Sequence, residues 1–215
     1  MDSPDTIAIF PLPNVVLFPE VELPLHVFEP RYREMVSDAM DADRRIGMVL
    51  LRSDWRKDYY GAPPIYPIGC VGQIEQFDLL EDGRSNLVLR GQRRFEVLEE
   101  IEGKSYRRAR VRWAEASVSE AAPDVAGRLR GCVIDLLRRA GKEGPEEIWD
   151  RLPKEWEKLV NLLAFGLPLQ EVEKMALLEC DGCAARAERM IEILEFRLAE
   201  HDSRGLGGQR KEPWH

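Results

Sequence analysis

Sulfur and imidazole are scarce in this chain: four cysteines and three histidines serve 215 residues. Four cysteines in a chain this long do not make the framework of a small disulfide-built fold. No second histidine stands at ligand spacing from His26, so no metal site is expected. Long apolar runs are missing, and with them any candidate membrane span. The opening stretch MDSPDTIAIF has no basic segment leading into an apolar core, so no secretory signal is expected and a cytoplasmic chain is. Positive charge is also short, with 31 Lys+Arg against 39 Asp+Glu, a net charge of −8 and a pI near 5.1. The deficit is shared evenly, 16 against 20 in residues 1–117 and 15 against 19 in residues 118–215. Such a field repels a polyphosphate backbone unless a local basic patch overrides it, so nucleic acid is not the expected partner. A nucleotide-binding G-x-x-x-x-G-K-[ST] loop is absent too. Gly103-Lys104-Ser105 and Gly141-Lys142-Glu143 both lack the earlier glycine. No cofactor and no catalytic residue are expected.

What is present describes a folded protein. Hydrophobic residues make up 44% and charged residues 33%, the balance of a globular chain long enough to bury a core. The pattern changes character once. From TIAIF to RARVRW the segments are short, alternating and broken by Pro and Gly, which is strand punctuation. Val21, Leu23, Leu25 and Val27 share one strand face, and Pro24 within that run predicts an edge strand or a bulge. RIGMVLL and GCVGQIEQF read as strands, and Asp82-Gly83 lies between two strand-like runs as a hairpin turn would. One helix interrupts this half, with Tyr32, Met35, Val36, Ala39 and Met40 as its apolar stripe.

Beyond residue 117 only helical patterns remain. Val125, Leu129, Val133, Leu136 and Leu137 form one face, and Gly141 is the expected stop. Further helices are expected in PKEWEKLVNLLAFG, opening at Pro153, in LQEVEKMALLEC and in AARAERMIEILEFRLAEH. The expected organisation is therefore α+β: a β-rich domain over residues 1–117, an all-helical bundle over 118–202 and a flexible tail over 203–215.

The stretch PLHVFEPRYREM places His26 and Glu29 close to the start of the first helix. An imidazole near a carboxylate can do acid–base work, but no Ser or Cys nucleophile lies nearby in sequence. Pro30 suits a first helical turn, where its missing amide hydrogen has no partner to lose, and Glu29 favours the helix N-terminus. The cluster reads as a joint between strand and helix. His26 shares the polar face of its strand with Glu22 and Phe28.

Those residues also carry a resemblance. Pro11-Leu12, Leu17-Phe18-Pro19, Leu23-Pro24-Leu25 and Phe28-Glu29-Pro30-Arg31-Tyr32 are similar, in order, to the opening signature of the Lon protease N-terminal (substrate-binding) domain family. IGCVGQI resembles that family's Gly-containing strand. EDGRSNLVLRGQRRFEVL resembles its Asp-Gly-Arg hairpin and its Gly-x-x-Arg-Phe, met here by Gly91, Arg94 and Phe95. LLECDGCAARAERMIEIL is similar to its closing helical segment. The resemblance implies a β pseudobarrel similar to PUA-like folds, backed by helices, that recognises protein or peptide substrates. A Lon protease would add an ATPase and a Ser–Lys peptidase, so the expectation is a stand-alone, non-enzymatic member of this ATP-dependent protease-related family. It would bind unfolded or exposed polypeptide as an adaptor or chaperone-like factor, with a separate protease or ATPase as a further partner.

Candidate contacts follow from exposed aromatics. Phe18, Trp55, Tyr59 and Tyr60 are the expected polypeptide-binding residues, the last three with Tyr66 in the loop WRKDYYGAPPIYP. RNA binding is the alternative, since PUA-like folds include RNA binders and Arg93, Arg94, Arg107, Arg108, Arg110 and Arg112 could make a basic stripe. Yet Arg108, Arg110 and Arg112 alternate with Ala109, Val111 and Trp113, as on one solvated sheet face. Glu96, Glu99, Glu100 and Glu102 stand ready to pair with them. Cys180 and Cys183 invite a redox or metal reading, but Cys180 ends one helix as Cys183 opens the next.

Overall fold

A computed structural model describes residues 5–58, 61–115 and 122–207. Its contacts group the chain into two compact units. One comprises residues 1–117 with 160–179, the other residues 118–159 with 180–215. Residues 160–179, which the sequence pattern assigned to the helical half, therefore pack with the β-rich half. Among the described residues, no helix is long and apolar enough to cross a membrane.

The first unit is built on a mixed sheet of six strands: β1 (Asp5–Leu12), β2 (Glu22–Val27), β3 (Arg45–Leu51), β4 (Ile65–Leu79), β5 (Ser85–Ile101) and β6 (Arg108–Trp113). The spatial order is β2-β5-β4-β3-β1-β6, and β5 also pairs with β6, so the sheet closes on itself with β2 outside the ring. Among the described residues only β1 and β3 run parallel, and the other pairings are antiparallel. Closure gives an interior for alternating apolar residues, and Ile7, Ile9, Val49, Val71, Phe95, Ala109 and Val111 fill it.

Two exceptional residue types punctuate the sheet. Pro24 lies in β2, which among the described residues pairs with β5 alone and so needs no amide at that position on its open side. The hairpin turns at Gly83, with φ of +78°, between β4 and β5. The expected arginine–glutamate ladder is in place. Arg112 pairs with Glu96, Arg110 with Glu99 at 2.9 Å and Arg107 with Glu100 at 2.5 Å, while Arg108 donates to the Glu102 carbonyl at 2.7 Å.

Helix α1 (Pro30–Met40) follows β2 after a two-residue joint. It buries Tyr32, Met35, Val36 and Ala39, and the Tyr32 ring lies 4.2 Å from that of Phe10 on β1. Glu29 accepts from Arg31 Nε at 3.1 Å and makes no side-chain cap to the helix. A polar cluster fastens the far side of α1. Tyr106 Oη donates to Asp38 at 2.6 Å, Lys104 pairs with Asp38 at 2.8 Å, and Ser105 Oγ donates to Glu34 at 2.6 Å.

The helices beyond are α2 (Pro123–Arg139), α3 (Pro145–Asp150), α4 (Trp156–Gly166), α5 (Glu171–Glu179) and α6 (Gly182–Gly207). Within the second unit α2 packs on α6, with an Arg128–Glu195 ion pair at 2.8 Å and Arg139 donating to the Leu198 carbonyl at 2.7 Å. The α2 stripe buries Val125, Leu129, Cys132, Val133 and Ile134, leaving Leu136 and Leu137 half-buried. Gly141, at φ of +68°, follows α2 as expected. Three details depart from the pattern. The short α3 has too few residues to show a period, α4 starts at Trp156 rather than Pro153, and α6 stays helical through Gly207 where a flexible tail from 203 was expected. Residues 208–215 lie outside the described part.

Candidate functional site

The four aromatic candidates do not form one surface. Phe18 is fully buried, 0% exposed, in the connection between β1 and β2. It is a core residue and not a contact for a partner. Trp55 opens a short 3-10 helix (Trp55–Asp58) ahead of β4, half-buried, with the Arg56 guanidinium 5.4 Å from its ring centre. Tyr59 and Tyr60 lie outside the described residues. Tyr66, assigned to the same loop, belongs instead to the first turn of pairing in β4, with the Arg52 guanidinium 5.5 Å from its ring centre.

Exposed apolar surface is found at the other end of β4. There β2, the N-terminal half of β5 and the C-terminal end of β4 form a three-stranded extension beyond the closed ring. Register sets out its two faces row by row. On the inner face stand Leu23, Leu89 and Ile74, then Leu25, Leu87 and Phe77, then Val27, Ser85 and Leu79. On the outer face stand Glu22, Arg90 and Gln73, then Pro24, Val88 and Gln76, then His26, Asn86 and Asp78.

Burial fades along this extension. Leu89 and Ile74 are core, while Phe77 is 38% exposed and Leu79 is 66% exposed. Phe28, just past β2, is 60% exposed, and its ring stacks on that of His26 at 6.2 Å. A groove of about 570 Å³ runs across the three strands, lined by Pro24, His26, Gln76, Phe77, Asp78 and Val88 among others. Among the described residues the end of β4 pairs with β5 alone, because β3 reaches only as far as Gln73, so one edge of the extension is open.

Polar contacts hold the groove floor still. His26 Nδ1 and Asn86 Oδ1 are 2.7 Å apart, and Arg84 Nη1 approaches His26 Nε2 at 3.4 Å. Arg84 is itself held by Asp82 at 2.6 Å, and the Asp82 carboxyl is kept below its usual range by the Arg84 amide and guanidinium. Both ring nitrogens of His26 are thus engaged. The site offers apolar contact and shape, which is what recognition of a chain segment requires.

Phe77 and Leu79 escape a reading by strict alternation because β4 carries a bulge between Ile74 and Gln76, which shifts the phase of everything beyond it. Phe28 was visible on the polar face of its strand, and a large apolar residue on such a face is the signal that marks it.

The cysteine pair has a different character. Cys183 is buried near the start of α6, and burial pushes its thiol up to about 11, the reverse of the thiolate activation that redox or metal chemistry needs.

Comparison with known proteins is consistent across sequence and structure. The family model for the ATP-dependent protease La (LON) substrate-binding domain matches residues 6–195. Lon protease 2 of Myxococcus xanthus is 31% identical over 202 residues, covering 90% of this chain and 24% of the relative. Lon protease of Cytophaga hutchinsonii is 23% identical over 208 residues, again covering 90% of this chain and 24% of the relative. The chain thus spans about a quarter of the length of the curated relatives it matches. Among solved structures, a Lon N-terminal domain protein from Xanthomonas campestris matches with a TM-score of 0.64 and 28% identity, over 87% of this chain and 98% of that one. The N-terminal domain of the Mycobacterium avium complex Lon protease has the same fold, with a TM-score of 0.64 at 16% identity.

Proposed function

Because this chain belongs to the ATP-dependent protease La (LON) substrate-binding domain family, we propose that it recognises exposed, unfolded segments of polypeptide, without catalysing a reaction itself. The observation that carries this reading is the groove on the β2–β5–β4 extension, lined by exposed Phe77 together with Leu25, Leu87 and Val88. Large apolar side chains clustered on a rigid sheet beside a concave surface supply contact area at little ordering cost. Trp55, ahead of the opposite end of β4, is proposed as a secondary contact for a longer client segment, and Tyr59 and Tyr60 are proposed with it from the sequence. In this role the chain acts as an adaptor or chaperone-like element, handing clients to an ATP-dependent protease.

RNA binding is the reading this one displaces. Arg110 and Arg112 of β6 are paired with Glu99 and Glu96 of β5, Arg108 is held by the Glu102 carbonyl, and no Lys or Arg is among the residues that line the groove.

A fluorescent, permanently unfolded polypeptide and a structured RNA, each titrated at low and physiological salt, test the proposal. Polypeptide binding that survives added salt is expected, because apolar burial is not screened. Tight, salt-sensitive RNA binding without polypeptide binding would overturn it.

A further inference from the structure

Among the described residues the extension ends in two free strand edges, β2 and the end of β4, and their backbones differ. On the β4 edge the Ile74 amide is still taken, by the Arg44 carbonyl at 2.8 Å. Residues 75–79 follow, all exposed, and those in register pair only with β5 among the described residues. Hydrogen bonding sets which of their groups face outwards. At the hairpin the Leu80 amide donates to the Arg84 carbonyl at 2.8 Å. Antiparallel partners alternate between bonded and non-bonded pairs. Going back from Leu80, Asp78–Asn86 and Gln76–Val88 are therefore bonded pairs, while Leu79–Ser85 and Phe77–Leu87 are not. Phe77 and Leu79 thus aim both amide and carbonyl away from β5, towards the open side.

The same alternation runs through β5 to β2. Leu87 bonds to Leu25, so the Pro24–Val88 pair is non-bonded and the Pro24 nitrogen faces outwards. That edge lacks a donor at its centre, and a proline there bars an added strand. The β4 edge carries no proline after Pro67. Its two residues with outward backbone groups also expose apolar side chains, Phe77 by 38% and Leu79 by 66%. Gln76, Phe77 and Asp78 of this edge line the groove as well.

We propose that a client segment docks as an added β-strand on residues 76–79 of β4, so that the class bound is extended, proline-free stretches with apolar residues at alternate positions. The inference rests on the polypeptide-binding reading above and adds how the segment is held. Backbone bonds to Phe77 and Leu79 hold any chain that can extend, and side chains add the preference. Alternate client side chains lie beside Phe77 and Leu79 on the inner face, and the intervening ones beside Gln76 and Asp78 on the outer face.

A dye-labelled peptide of alternating leucine and threonine between lysine ends, titrated against the full chain, tests this. The series carries one backbone N-methyl group at each position in turn, which removes a donor and leaves the side chains unchanged. Affinity is expected to fall roughly tenfold or more at alternate positions and little at those between. Leu79→Pro removes an outward donor as Pro24 does on β2, and should weaken binding several-fold beyond Leu79→Ala. The N-methyl series on the unaltered chain decides the matter even if Leu79→Pro folds poorly. Affinities without a period of two overturn strand addition and leave polypeptide recognition standing. A dimer in sedimentation that Leu79→Pro dissociates and saturating peptide leaves intact assigns the edge to a second copy, and overturns the proposal. Failure of the unmethylated peptide to bind overturns both readings.

Discussion

Gly91 on β5 lies directly beneath the backbone of Phe18: a Cβ at position 91 would stand 2.0 Å from the Phe18 carbonyl oxygen. The approach is fastened from both sides. The Glu20 amide donates to the Gly91 carbonyl at 2.8 Å, and the Gly91 amide donates to the Val21 carbonyl at 2.9 Å. Two pieces of sequence signature, Leu17-Phe18-Pro19 and Gly91-x-x-Arg94-Phe95, are therefore one packing contact. Glycine is needed because only its bare Cα admits the crossing chain.

Gly91→Ala should accordingly cost about 3 kcal/mol or more of stability, since the obstacle is backbone and cannot rotate away. Urea unfolding monitored by Trp fluorescence measures it, and an unchanged midpoint would mean the crossing is looser than described.

Arg94 of β5 donates from Nη1 to the Leu178 carbonyl near the end of α5 at 2.6 Å, across 84 residues of sequence. Arg94→Ala should destabilise the first unit by roughly 2 kcal/mol, the range for a charged hydrogen bond whose acceptor is left behind. Hydrogen exchange should quicken in α5 together with β5; exchange confined to β5 would argue against this tie.

Tyr32→Asp places a carboxylate where a nearly buried ring packs at a tilt against Phe10. A loss of about 3 kcal/mol is expected from lost packing and a desolvated charge. Polypeptide affinity of the remaining folded protein should be unchanged, measured well below the melting temperature.

The α1 polar cluster predicts a pH effect. Hydrogen bonds from Lys104 and then Tyr106 hold the Asp38 carboxyl below its usual value. A depressed carboxylate contributes stability that is present above its unfolded pKa of about 3.9 and fades as pH falls through the folded value. Asp38→Asn should therefore be less stable than the unaltered chain at about pH 7, and the gap should narrow at about pH 3. Denaturation midpoints at both pH values give the answer; a gap that widens in acid contradicts it.

Much of this architecture was legible in local pattern. The α1 stripe, Pro24 on an edge strand, the Asp82-Gly83 turn and the arginine–glutamate ladder all depend on period and turn chemistry, which neighbouring residues carry. Phe18 was misread because its burial is created by β5, far away in sequence. Phe77 and Leu79 were hidden by the bulge before Gln76, which alternation cannot anticipate. Residues 160–179 are as helical as expected, yet helical period is silent about which partner a helix packs against.

The proposed recognition of unfolded polypeptide depends most directly on the apolar surface of the β2–β5–β4 extension. The triple variant Phe28→Ser, Phe77→Ser, Leu79→Ser removes that surface at exposed positions while leaving the ring interior intact. Its affinity for a fluorescent unfolded polypeptide should be measured against the unaltered chain at physiological salt. A loss of about tenfold or more is predicted, with circular dichroism and melting temperature nearly unchanged. Full affinity in the folded triple variant would contradict the account.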